Sequence, residues 1–504
     1  MTKKAMILSF LGGFLSLSLE VIWIRLFGFS AFSIPQAFSF TLALFLLGIA
    51  FGALIGKNIC QQGKASIDVV GKVFFISAVF DCIAIFLIIS FATSLFVYIV
   101  FTVFILTCAL LRGIVFPIVH HLGSENKKTG AAISNVYFSN VVGCTIAPIF
   151  VGFYLLDVLT TQQTYLVVIM ITLAVAFFCI KKSSLKWTSI ALASVLLPIT
   201  LFVPEKLIYS LAQKENMQLE QLIENKHGFI QVYLNEDKDE MVFGGNVYDG
   251  MLNVDLEHNS NGINRAYLLP VIAPDAKNVL VIGLSTGSWV RVLTAMPGIE
   301  SITVIELNPG YPQLAELYPE MAELLKDKRV NIITDDGRRW LNRNPDKKFD
   351  FILMNTTFHW RNYISNLLSQ EFAQLAKRHL TDNGFMYFNT TNSYDAYHTS
   401  KSVFPYVYEY SRMSLASLKP ISIPTKEKIA SLLSKLRWNE ANYVFDTAQK
   451  LDKAVEKMSE YSLVNYENIN FSVLGREPEI ITDTNMITEY KYGIFSATPN
   501  VKNK

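Results

Sequence analysis

Gly283 and Gly287, with Ser285 between them, punctuate a turn directly behind the apolar run Val279–Ile282. Missing side chains in such a turn let backbone N–H groups approach a ligand, and a turn that opens a helix favours negative charge there. Glu306 closes the next apolar run, ITVIE from Ile302, about 20 residues later, the spacing at which an acid reaches ribose hydroxyls in nucleotide-binding α/β folds. Asp335 and Asp336 end a third run, offering carboxylates to an adenine amino group or, equally, a cap to a helix that begins near Arg338. A fourth run, Phe349–Met354, delivers Asn355, Thr356, Thr357 and His359 to the same rim. His359 is a candidate base because an imidazole titrates near neutrality, and Arg338, Arg339 and Arg361 are candidate anion receptors. The arrangement reads as a pocket for a nucleotide.

Those residues need strands that end at one edge of a sheet. The four runs are short and apolar throughout, as parallel strands covered on both faces are. Between and after them lie helix-length amphipathic stretches, PQLAELYPEMAELLKDK and LLSQEFAQLAKRHL. The alternation predicts a doubly wound α/β domain of Rossmann type over 263–504. Ahead of it, HGFIQVYLNEDKDEMVFGG alternates about the charged turn Asn235–Glu240 and predicts a small β region over 225–262. Residues 205–224 are polar and helix-compatible, and are expected to form a linker helix. The tail holds helical stretches, KEKIASLLSKL and TAQKLDKAVEKMSEY, expected to cover the sheet.

Residues 1–204 are a different object. They carry 12 Lys plus Arg against 5 Asp plus Glu, a net of +7; of the totals of 44 and 42, the remaining 32 and 37 give the second part a net of −5. Apolar runs of about 20 residues suit a hydrocarbon core. Seven transmembrane helices are expected, near 5–29, 37–56, 73–92, 95–119, 131–156, 165–180 and 187–203. Gly48, Gly52 and Gly56 recur every fourth residue and predict a close helix–helix seam. Glu20, Arg25, Asp81 and Arg112 are ionisable groups in spans, where a charge costs several kcal/mol. Mutual pairing within the bundle is the simplest expectation, a substrate path or lipid head-group site the other.

Lysines mark the amino terminus and every second loop, at Lys57, Lys64 and Lys72, at Lys127 and Lys128, and at Lys181, Lys182 and Lys186. This pattern puts the amino terminus in the cytoplasm and, with seven crossings, everything after Pro204 on the outer side. All five cysteines lie in the membrane part, and none has the spacing of a metal site. A net-acidic second part without a basic stripe argues against a nucleic-acid partner.

The order of the four strings resembles the spermidine synthase family, specifically its bacterial members with a fused multi-pass membrane region. That resemblance runs from about Asn225 to Tyr490. It implies a plasma-membrane location, and a methyltransferase-like fold holding decarboxylated S-adenosylmethionine or its thioether product, without a metal. It places Gly283 and Gly287 at the cofactor turn, with Ser285 where glycine is common, Glu306 on the ribose and Asp336 near the adenine. The sequence departs from the family at the fourth string. Members that transfer aminopropyl groups carry one aspartate at that strand tip and another three residues on; here the positions hold Asn355 and Phe358. An amide accepts no proton at neutral pH, and Phe358 offers no charge to a cationic amine.

Two classes of function follow. One is a membrane-bound transferase that uses decarboxylated S-adenosylmethionine or S-adenosylmethionine to aminopropylate or methylate a small or membrane-presented substrate. The other is a catalytically retired Rossmann module that binds a ligand or a membrane-protein partner, while the lipid-embedded part anchors or moves something.

Overall fold

Seven helices of 19 to 29 residues are long and apolar enough to cross a membrane. In the computed structural model, which describes residues 2–124, 130–355 and 357–493, they are built on α1 (Thr2–Ser30), α2 (Pro35–Gln61), α3 (Ile67–Ser90), α4 (Phe96–Ser124), α5 (Gly130–Phe150), α7 (Thr161–Cys179) and α8 (Ser183–Phe202). Just beyond Pro148, α5 runs into a π-helical turn, Val151–Leu155, and the short α6 (Leu156–Val158). The proline removes a backbone donor there, and a changed hydrogen-bond spacing is a usual response. Leu95, Phe178 and Phe202 are 84, 81 and 80 % exposed, whereas Ser77, Asp81, Thr164 and Thr172 are fully buried. Apolar side chains outside and polar ones inside are what a lipid solvent selects.

The glycine seam forms as expected. A Cβ on Gly48, Gly52 or Gly56 would fall onto α4, against the Leu106 carbonyl, the Leu110 carbonyl and the Pro117 ring respectively. Gly113 of α4 returns the approach, facing Ile49 of α2. Of the four ionisable span residues, Asp81 and Arg112 pair inside the bundle, with Arg112 Nη2 donating to Asp81 Oδ2 at 2.6 Å. The other couple does not form. Arg25 turns to Glu224 at 3.4 Å and to the Asn225 carbonyl at 2.6 Å, and the Glu224 carboxylate also takes the Thr161 backbone N–H at 2.5 Å. Glu20 is buried with no ion pair among the described residues.

After α8 come α9 (Lys206–Leu211) and the strand β1 (Gln218–Asn225), so the expected linker helix is replaced by a short helix and a strand. Asn216, at φ +57°, breaks the helical path between them. The Leu, Glu and Gln residues of 218–224 favour helix intrinsically; tertiary context overrides so weak a preference.

The chain divides into two units, Met1–Phe229 and Ile230–Lys504. The second begins with a small antiparallel array, β2 (Gly228–Leu234), β3 (Glu240–Gly244) and β4 (Val247–Met251), in which Ile230 pairs Gly244 and a bulge falls at Val242/Phe243. Then α10 (Asn264–Ile272) leads to the main sheet: β5 (Asn278–Ile282), α11 (Ser288–Thr294), β6 (Ser301–Glu306), α12 (Gly310–Leu317), α13 (Pro319–Lys326), β7 (Val330–Thr334), α14 (Gly337–Arg343), β8 (Phe349–Met354), α15 (Ser365–Leu368), α16 (Gln370–Arg378), β9 (Leu380–Asn389), α17 (Tyr394–Val403), β10 (Tyr406–Tyr410) and β11 (Met413–Ser417). The tail adds α18 (Lys426–Leu433), α19 (Ala448–Ser459) and β12 (Val464–Asn465). The strand order is β12-β10-β11-β9-β8-β5-β6-β7; the five strands from β9 to β7 are parallel and the others antiparallel.

All four strings of the sequence are therefore parallel strands whose carboxyl ends share one edge. The last stretch of the tail joins the core, with Ile481 and Ile487 packed among residues of β8, β9 and α16.

Candidate functional site

The chain runs from β5 outward to β6 and β7, then returns to lay β8 on the other side of β5. Such a reversal opens a crevice outside the strand ends, where open α/β sheets bind ligands. Ile282 lies opposite Met354, so Gly283 and Asn355 flank the crevice. Gly283 has φ +87°, and a Cβ there would lie 3.1 Å from the Asn355 carbonyl oxygen. Gly287 has φ +83°, and its Cβ would meet Leu324 at 2.7 Å. Both positions require glycine. Ser285 sits between them at φ +50°, a left-handed conformation that costs a residue with a side chain about 1 kcal/mol. Its Oγ donates to the Asp249 carbonyl at 2.8 Å, which offsets that strain.

Glu306, at the tip of β6, is buried and turned back toward this turn. Oε2 accepts the Leu284 N–H at 2.7 Å and Oε1 the Asn308 N–H at 2.8 Å. Burial pushes its pKa up to about 7, against the backbone donors that favour the ionised form. A carboxylate has about four acceptor sites, so lone pairs remain for hydroxyl donors.

Two further side chains complete this cluster, and neither was among the expected site residues. Asp249, from β4, receives a hydrogen bond from Tyr311 Oη at 2.5 Å, and burial raises its carboxyl above the usual range. Gly250 follows at φ +143°, with the Thr286 methyl 3.1 Å from where its Cβ would be, so the tip of the small β region lies over the glycine turn. The strings YDG and NPGY carry these two residues, but only the tertiary packing shows that they meet.

The remaining expected residues separate clearly. Asp336 caps α14, accepting the Arg339 N–H at 2.7 Å, as one of the two readings of its position has it. Asp335 accepts the Asp336 N–H at 2.7 Å and Arg339 Nε at 2.6 Å; against burial, these donors hold its pKa low. Arg339 is thus engaged, and Arg338 holds Asp483 of the tail through two bonds at 2.7 and 2.5 Å. Arg361 alone of the three arginines is left at the crevice. Asn355 makes no side-chain hydrogen bond among the described residues, and Thr356 lies outside them.

His359 does not suit the role of base expected for it. Its Nδ1 lies 3.0 Å from the Thr391 carbonyl, which requires that nitrogen to carry the proton, and its backbone N–H donates to Thr391 Oγ1 at 2.8 Å. Burial pushes its pKa down to about 4, so the ring stays neutral and weakly basic. It ties the β8 loop to the β9 loop. A cleft of about 530 Å³ lined by Tyr408, Ile421 and Tyr461 lies away from the strand tips, at the β10 edge, and includes none of these groups.

Residues 269–425 match the family described as Spermine/spermidine synthase domain, so the α/β part of the chain carries that domain. Curated relatives are the polyamine aminopropyltransferases of Corynebacterium efficiens, 30% identical over 150 residues, and of Clostridium botulinum strain Eklund 17B, 36% identical over 85. The matches cover 28% and 17% of this chain and 29% and 30% of the relatives. The matches thus span less than a third of the length of these two curated relatives. Among solved structures, spermidine synthase from Thermotoga maritima aligns with a TM-score of 0.36 at 18% identity, over 48% of this chain and 88% of the other. Human methyltransferase-like protein 13 in complex with SAH aligns with a TM-score of 0.28 at 17% identity, over 40% and 92%.

Proposed function

We propose that the protein is a membrane-embedded transferase that binds an S-adenosyl compound, decarboxylated S-adenosylmethionine or S-adenosylmethionine, in the crevice between β5 and β8. The observation that carries this reading is Glu306. It is a buried carboxylate at the tip of β6, held against a turn in which Gly283 and Gly287 both have positive φ, at the point where strand order reverses. In this reading the glycine turn meets the nucleoside and the free lone pairs of Glu306 take the ribose hydroxyls, while Asp336, beside the cap it forms, faces the base. The bound compound supplies an activated carbon on its sulfonium centre. Asp249, whose carboxyl burial raises against the opposing hydrogen bond from Tyr311, is the group with the basicity to take the acceptor's proton, rather than Asn355 or His359.

The test is a thermal shift of the full-length protein in detergent with decarboxylated S-adenosylmethionine, S-adenosylmethionine and methylthioadenosine. At least one should stabilise it, and Glu306→Ala should abolish the shift. No shift with any of the three favours the second reading, a ligand- or partner-binding module without turnover. The observation behind that alternative is the amide of Asn355 at the β8 tip together with a neutral His359.

We further propose a plasma-membrane location with the amino terminus in the cytoplasm and the α/β part on the outer side. The lysine pattern and the odd number of spans support it.

A further inference from the structure

Arg361 stands in the loop that follows β8, in the same cluster as Asp249 and Tyr311, and the Asp249 carboxylate favours its charged form. It is partly buried, and burial lowers its pKa, yet a guanidinium remains charged at any ordinary pH. Its five N–H donors find one side-chain acceptor among the described residues, Thr357 Oγ1, which Nη1 reaches at 2.9 Å. No carboxylate among the described residues comes within ion-pair distance of it. Asp249, the acid whose charge favours the guanidinium, receives the Tyr311 hydroxyl at 2.5 Å and no bond from Arg361 among the described residues. A cation drawn partly out of water with no carboxylate in direct contact keeps N–H donors to spare, which an anionic group on a ligand would satisfy.

The neighbours point the same way. Asn355 at the β8 tip is uncharged, Phe358 stacks on Trp360 with ring centroids 5.4 Å apart, and His359 is neutral. The sequence from 355 to 361 therefore carries one formal charge, and it is positive. On this loop a polycationic amine finds no carboxylate, whereas a carboxylate ligand meets a planar fork of donors matched to its two oxygens.

We propose that Arg361 is the receptor for an anionic group on the ligand of this pocket, so that the site selects a carboxylate-bearing molecule over a polycationic amine. The inference rests on the adenosyl-binding reading for the rest of the pocket. It narrows that reading's substrate class. The carboxylate belongs either to the adenosyl compound itself, as in intact S-adenosylmethionine, or to the acceptor.

Calorimetric titration of the full-length protein separates the two. S-adenosylmethionine and its decarboxylated form differ by that carboxylate alone. Succinate and putrescine, four-carbon chains of opposite charge, are titrated onto protein saturated with methylthioadenosine. If the adenosyl compound bears the anion, S-adenosylmethionine binds at least tenfold more tightly than its decarboxylated form. If the acceptor bears it, the two adenosyl compounds bind alike and succinate is preferred over putrescine by at least tenfold.

In either case Arg361→Gln brings the preference to within twofold of unity and leaves methylthioadenosine affinity unchanged, which also reports an intact fold, while Arg361→Lys keeps part of the preference. Equal binding in both arms, a preference for putrescine, or a preference that survives Arg361→Gln overturns the proposal. Should no nucleoside bind, the transferase reading fails. Succinate and putrescine are then compared on the free protein, and the same criterion decides the role of Arg361.

Discussion

Glu306 turns the chemistry of the pocket into a pH dependence whose sign can be worked out. Burial holds its folded pKa at about 7, above the ordinary 4.5. The folded state therefore keeps a proton that the unfolded chain has lost. Stability from this group is fully present below pH 4.5 and is lost as pH rises through 7, by on the order of 1 kcal/mol per unit. Ligand binding has the opposite sign, because ribose hydroxyls need the ionised acceptor. Affinity for methylthioadenosine is expected to fall about tenfold between pH 8 and pH 6, while the free protein melts at a higher temperature at pH 6 than at pH 8. Glu306→Gln should flatten both profiles. Titrations at pH 6, 7 and 8 that show constant affinity would remove Glu306 from the ribose site. Of this cluster, Gly283 and Glu306 were legible in the sequence because each ends an apolar run, and Gly287 because it closes the turn behind the first run. Asp249 was not, since it arrives from a separate sheet, far along the chain from Glu306. The burial that strips His359 of its basicity is likewise a property of packing, invisible to residue type.

At the level of elements, periodicity carries what the sequence makes plain. The glycines of α2 lie four apart and define one face, and that face meets α4 so closely that Gly52 has no room for a methyl group beside the Leu110 carbonyl. Gly52→Ala should therefore cost the bundle about 1–3 kcal/mol, the usual penalty of overpacking. Gly28→Ala is the internal control, since a Cβ there meets nothing within 4 Å and helix propensity favours alanine. Thermal denaturation in detergent should show Gly52→Ala well below the parent and Gly28→Ala level with it or above. Equal melting of both variants would dissolve the seam as a determinant of packing. The four strand runs and the hairpin region were legible for the same reason, a clear period. Residues 218–224 were misread because Leu, Glu and Gln have no decisive local preference, and their strand pairing depends on chain elsewhere. The pairing of Arg25 with Glu224, 199 residues away, is equally beyond any local signal.

For the whole molecule, the side on which the pocket faces decides which ligands can reach it. Within the membrane unit, Lys226 bonds Asp157 at 3.0 Å, and Glu224 takes both Arg25 and the first backbone N–H of α7. The chain leaving the seventh span thus returns to the face where α1 ends and α7 begins. The lysine-marked loops lie at the other ends of these helices, where Asp68 accepts the Lys181 N–H at 2.7 Å. An odd number of crossings is what this geometry needs, so the proposed outer placement of the α/β part rests on the orientation that the lysine pattern gives the bundle. A reporter active only outside the cytoplasm should give activity both when inserted in the loop at Asp157 and when fused to the carboxyl terminus. Activity at Asp157 with silence at the terminus would break the parity argument. Silence at both would reverse the bundle and give the crevice direct access to cytosolic adenosyl compounds, whereas activity at both requires that its ligand be available beyond the membrane.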